Sequence, residues 1–165
     1  MLTSKHNLLN TIMFNYNLCM NTWILVANAS KAFLYSSENL YTGDLQLVEE
    51  LRHPESREKG VDLITDGPGG YATDHGARSA YEKSRPKEDE AEIFAIKLAS
   101  LLKDGNYNHD YEQLVLVVTS HFYGLMKKHM DFVVDEFVHI DKDYTQLTQR
   151  ELIERLHEHI FANIS

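Results

Sequence analysis

Trp23-Ile24-Leu25-Val26-Ala27-Asn28 is the stretch that decides the fold. It is an unbroken apolar run, containing Ile and Val and bounded by asparagines. Such a run is too short for a buried helix, and its continuity asks for cover on both faces, so it reads as a central strand. Asn28-Ala29-Ser30 is turn chemistry, and the run Ala32 to Tyr35 beyond it makes a hairpin. A third strand is expected over Leu45 to Leu51, with Leu45, Leu47 and Leu51 on one face and Gln46 and Glu50 on the other.

Downstream, the period changes. From Lys87, Ala91, Phe94, Ala95, Leu98, Leu101 and Leu102 recur at helical spacing, Glu88, Asp89 and Glu90 complement the dipole, and Gly105 is the expected stop. Leu114 to Val118 is a second fully apolar strand. Ser120 is placed to cap a helix reaching Met130, Phe132 to Ile140 reads as a strand, and Thr148 with Glu151 forms a capping box. The last helix then buries Leu152, Leu156 and Ile160. The order is βββαβαβα, which predicts a three-layer α/β domain with a mixed five-stranded sheet, because parallel neighbours need helical crossovers. This is the order of RNase H-like domains.

One domain suits the 165 residues. It is expected over 21–162, preceded by a poorly structured, asparagine-rich extension over 1–20 that lacks the apolar core and cleavage site of a signal peptide. Met20, just before the first strand, is a candidate natural start. Between Arg52 and Pro86 the periodicity disappears and Gly, Pro, Asp, Ser and Arg dominate. A connection that long inside a domain is functional or disordered, so the loop 52–86 is the expected working part.

Charge points the same way. The chain carries −9, which disfavours broad attraction to DNA or to anionic membrane. From Arg52 to Lys87, however, seven lysines and arginines face six acids, leaving nine against nineteen elsewhere. Only this segment would not repel a polyanion. The single Cys19 excludes an internal disulfide framework and fits a reducing, cytoplasmic setting.

The chemical motifs are incomplete. Two-metal phosphodiester cleavage needs converging carboxylates, yet the central strand carries none and Glu90 and Glu92 read as helix-start acids. His157 and His159, two apart on a helix, face different ways, and no Cys-x-x-Cys or His-Glu-x-x-His occurs, so neither a metal site nor a cofactor is expected. No Gly-x-Ser-x-Gly is present. Asp66-Gly67-Pro68-Gly69-Gly70 is either a surface turn or an anion-binding nest, with Arg57, Lys59, Arg78, Lys83 and Arg85 nearby in sequence.

Several ordered blocks carry a resemblance. Trp23 to Asn28, Val48-Glu49-Glu50-Leu51-Arg52-His53-Pro54-Glu55-Ser56-Arg57 and Asp66-Gly67-Pro68-Gly69 are followed by Pro86 to Ala95, Leu114 to Val117 and Asp141-Lys142-Asp143-Tyr144-Thr145-Gln146-Leu147. Together they resemble the host attachment protein family of bacteria, from about Trp23 to His157. That family is similar to bacterial domains related to the middle domain of archaeo-eukaryotic release factors, which presents a Gly-Gly-Gln loop to the ribosome. Here Tyr71 follows Gly69-Gly70, so the resemblance does not extend to peptidyl-tRNA hydrolysis by that motif.

The expectation is a non-catalytic module that engages ribosome or RNA through its long loop. His53, Arg57, Asp66, Gly67, Gly69, Gly70, Arg78, Lys83 and Arg85 are the binding candidates. One alternative is a hydrolase of an ester or phosphodiester using His53, Asp66, His75 or His121 as acid or base. Another is an adhesion-related interaction protein.

Overall fold

The computed structural model describes residues 20–54 and 86–162. Within them the chain forms β1 (Thr22–Ala27), β2 (Lys31–Ser37), β3 (Gln46–Arg52), α1 (Pro86–Tyr107), β4 (Gln113–Val117), α2 (Ser120–Lys127), β5 (Glu136–Ile140) and α3 (Gln149–Phe161). The strands make one sheet ordered β3-β2-β1-β4-β5. β2 runs antiparallel to β1 and β3, whereas β1, β4 and β5 are mutually parallel.

The two apolar runs take the centre, and every residue of β1 and β4 is buried. Strand alternation divides them between two cores. Trp23, Leu25, Leu114 and Leu116 meet Phe94, Leu98 and Leu102 of α1 and Phe122 and Met126 of α2. Ile24, Val26, Val115 and Val117 meet Leu152, Leu156 and Ile160 of α3. Among the described residues the result is three layers, two helices on one face and one on the other. Burying each Leu or Phe of the α1 stripe contributes about 2 kcal/mol, more than a terminal cap supplies, so packing holds α1 in place.

The succession of elements and the mixed sheet match the reading of the sequence, while four details differ. First, Leu45, Leu47 and Leu51 do not share a face. Leu34 pairs with Glu49 and Tyr35 with Leu47, which leaves Val48 as a bulge. The extra residue reverses the alternation. Leu51 therefore joins the α1 core, Leu45 the α3 core, and Leu47 is exposed.

Second, α1 does not stop at Gly105. It ends two residues later in a Schellman turn, where the His109 N–H donates to the Asn106 carbonyl at 3.1 Å and the Asp110 N–H to that of Gly105 at 2.9 Å. His109 takes the left-handed position usually given to glycine, with φ 59°. Gly105 is needed for close approach instead, since a Cβ there would overlap the Trp23 ring, which packs on Tyr111 at 4.9 Å.

Third, the N-cap of α2 is Thr119, its side chain makes no cap bond, and the helix closes at Lys127. Fourth, β5 begins at Glu136 rather than Phe132, because Glu136 already pairs with Gln113, the first residue of β4. Earlier residues have no partner strand beside them among the described residues.

The capping box of α3 is present as read. The Glu151 N–H donates to the Thr148 hydroxyl oxygen at 3.3 Å, and the Thr148 N–H donates to the Glu151 carboxylate at 2.8 Å. The N–H of Thr148, then its hydroxyl, holds the Glu151 carboxyl below its ordinary value. That contribution is present above the unfolded-state pKa and fades as pH falls through the folded one. Thr148→Ala is expected to cost about 1 kcal/mol. Urea unfolding should show a lower midpoint for this variant and near wild-type behaviour for Thr148→Ser.

Candidate functional site

In open α/β sheets, ligands bind outside the carboxyl ends of the parallel strands. At that edge the chain leaves β1 at Asn28, β4 at Val118 and β5 at Asp141. Asn28 organises it. Its Oδ1 accepts from the N–H of Ser30 at 2.9 Å, the Ser30 hydroxyl at 3.1 Å and the N–H of Lys31 at 3.0 Å, which shapes the β1–β2 turn. Its Nδ2 donates to Asp143 Oδ2 at 3.2 Å and Thr145 Oγ1 at 3.0 Å, which ties that turn to the segment between β5 and α3.

Asp143 also accepts from Thr145, at 3.1 Å from its N–H and 2.6 Å from its hydroxyl. Burial pushes the Asp143 carboxyl up, but hydrogen bonds from Thr145 and Asn28 and the charge of Lys31 outweigh it and leave the group below its ordinary value. Asp141 does for α2 what Thr119 does not. Its two oxygens accept from the N–H and hydroxyl of Ser120 at 2.7 and 2.6 Å, so a carboxylate stands at the positive end of the helix. The Ser120 hydroxyl, then its N–H, holds the Asp141 carboxyl low. Beside it, the His139 Nε2 donates to the Val118 carbonyl at 2.9 Å, and the ring lies 4.1 Å from that of Tyr123.

The same edge fastens the flanks of the long central segment. The His53 N–H donates to the Ser30 carbonyl at 2.8 Å, which brings the end of β3 to the Asn28 turn. The His53 Nε2 lies 3.0 Å from Glu90 Oε2 in the first turns of α1, and its ring stacks on Phe94 at 5.3 Å and 10°. Glu90 is only 8% exposed. A carboxylate so buried needs a donor, and the imidazole N–H supplies one. The chain therefore departs after His53 and returns before Glu90 at one place.

Of the binding candidates, the structure places His53. Arg57, Asp66, Gly67, Gly69, Gly70, Arg78, Lys83 and Arg85 lie outside the described residues, as do Asp66 and His75 of the hydrolase alternative. His121 is exposed in the first turn of α2, while His53 is turned to Glu90 and Phe94. His157 and His159 face apart, the first bonded to the Leu40 carbonyl and the second to the Tyr144 hydroxyl. Among the described residues no group of three or more His, Cys, Asp or Glu is arranged to hold a metal ion. No described helix is long and apolar enough to cross a membrane.

Sequence reasoning missed Glu90 as the partner of His53 and treated it as a dipole acid. It also missed the role of Asn28, Asp143 and Thr145. The only available signal for the last two was the Asp141 to Leu147 block, which carried a resemblance without a role. A family model described as "Protein required for attachment to host cells" matches residues 23–156. No curated protein matches the chain.

Proposed function

The chain belongs to the family of proteins required for attachment to host cells, and from that premise we propose that it is a non-catalytic, cytoplasmic module that binds RNA or the ribosome through its segment 52–86. The scaffold is, in this proposal, RNase H-like and similar to the middle domain of archaeo-eukaryotic release factors. A sheet ordered β3-β2-β1-β4-β5 with β2 alone running against the other strands supports that reading.

The observation that carries the functional reading is the His53–Glu90 contact. It gathers both flanks of the segment at the carboxyl edge of the sheet, where ligands of open α/β sheets are held. Arg57, Arg78, Lys83 and Arg85 would supply the phosphate contacts, and Gly67, Gly69 and Gly70 would let backbone amides come close. The described edge cannot replace them, since Lys31, Arg52 and Lys142 there are offset by Glu50, Asp141 and Asp143. Of the hydrolase candidates, the described residues set His53 against Glu90 and Phe94 and leave His121 exposed on α2, and no contact joins these two.

Single-stranded RNA and purified ribosomes, titrated with the chain at several salt concentrations, test the proposal. Affinity is expected to fall with salt, and each removed phosphate contact should flatten the log–log slope by about 0.7. Arg78→Ala with Arg85→Ala is expected to weaken binding about tenfold. Binding that ignores both salt and these substitutions would overturn it.

A further inference from the structure

The strongest unassigned surface is the outer edge of β3. It is an edge strand among the described residues, and Gln46, Leu47, Val48, Glu49 and Glu50 are all exposed. Leu47 and Val48 expose 51% and 49% of their area. Next to it opens a cleft of about 420 Å³ lined by Trp23, Ser36, Gln46 and Val48, with the carboxylates of Glu38, Asp44 and Asp110 around it. An edge strand offers a row of outward N–H and C=O groups to another chain.

We propose that this edge receives an extended peptide segment of a partner protein, carrying lysine or arginine at alternate positions with apolar residues between them. The register argues for that pattern. Trp23, Ser36 and Gln46 form one row across β1, β2 and β3. The partner residue facing Gln46 stands next in this row, so its side chain runs over the acidic cleft. Because of the bulge, the next position on that face of β3 is Glu49, opposite Leu34. A second cation, two residues along the partner, lies beside it. The intervening partner residue points to the other face, where Leu47 is exposed.

A second copy of this chain fits poorly, because both edges would bring Glu49, Glu50 and the same acidic cleft together in molecules that each carry −9. The bulge at Val48 and the glutamates are devices that deter self-pairing. A cationic strand is the occupant they leave room for.

The test is fluorescence anisotropy of a labelled short peptide in which lysine and valine alternate, titrated with the full chain, together with hydrogen exchange of β3. Binding is expected, with slowed exchange at β3 amides. Asp44→Asn combined with Asp110→Asn should weaken it about tenfold; both residues are exposed, so the fold is not at stake. Methylating alternate peptide amides, which removes their donors, should abolish binding. The proposal is overturned if a peptide of the same composition with all its lysines first binds equally well, or if amide methylation changes nothing. It is also overturned if the alternating peptide does not bind and the chain sediments as a dimer, for then a second copy holds the edge.

Discussion

Phe94→Ala is expected to lower the stability of the protein by about 4 kcal/mol, the largest loss anticipated from any single change considered. Phe94 is fully buried, in the α1 stripe that covers the central strands. Its ring lies between that of His53, at 5.3 Å, and that of Phe122, at 6.3 Å. Truncation removes the transfer free energy of a phenyl group and leaves a void that a five-stranded sheet cannot close by sliding. With a urea m-value of about 2 kcal/mol/M, the midpoint should move by about 2 M. Phe94→Leu, which keeps most of the volume, should lose far less.

The same variant reports on the candidate site. If the ring holds His53 against Glu90, Phe94→Ala and His53→Ala must be non-additive, with a coupling of about 1 kcal/mol in a double-mutant cycle. Under the proposed function, RNA affinity of the truncated protein should fall as well, because the contact that gathers the flanks of segment 52–86 is weakened. A midpoint shift below about 0.5 M would contradict the packing assigned to α1.

What was legible in the sequence had local causes. The apolar runs of β1 and β4 announced central strands because burial on both faces leaves no polar position to interrupt them. The Thr148–Glu151 box spans three residues and could be read directly. The α1 stripe was equally plain, since helical spacing repeats several times within it.

The misreadings arose where a partner distant in the chain decides. Leu47 obeys period two in the sequence, but the bulge at Val48 belongs to the pairing of β3 with β2 and leaves no mark in the composition of β3 itself. Gly105 looked like a helix stop because the residue that excludes a side chain there is Trp23, far upstream. Glu90 read as a dipole acid because His53 is 37 residues away, and Asn28 as a simple turn former because Asp143 is 115 away. The candidate site is built almost wholly from such distant pairs, so its scaffold could be foreseen while its contacts could not.

Asn28→Asp tests the edge through the one residue that ties its turns together. At neutral pH the variant is expected to be about 2 kcal/mol less stable than the natural protein. The new carboxylate can still accept from Ser30 and Lys31, so the β1–β2 turn survives. What disappears is the donor: the bonds to Asp143 and Thr145 are lost, and two carboxylates face each other at the former 3.2 Å contact.

The pH dependence separates this cause from a general loss of packing. In the natural protein the Asp143 carboxyl is held below its ordinary 3.8, so it contributes stability above that value and loses it as pH falls through the folded pKa. In the variant the paired carboxyls cannot both ionise freely, so one of them is raised above its unfolded value. The destabilisation is then full at neutral pH and is relieved as protonation sets in on acidification. Urea unfolding of both proteins at about pH 7 and about pH 4.5 should therefore show the gap narrowing toward acid. A gap that stays constant would mean that Asn28 and Asp143 do not meet in solution. The edge would then lack the bond that joins the β1–β2 turn to the β5–α3 segment.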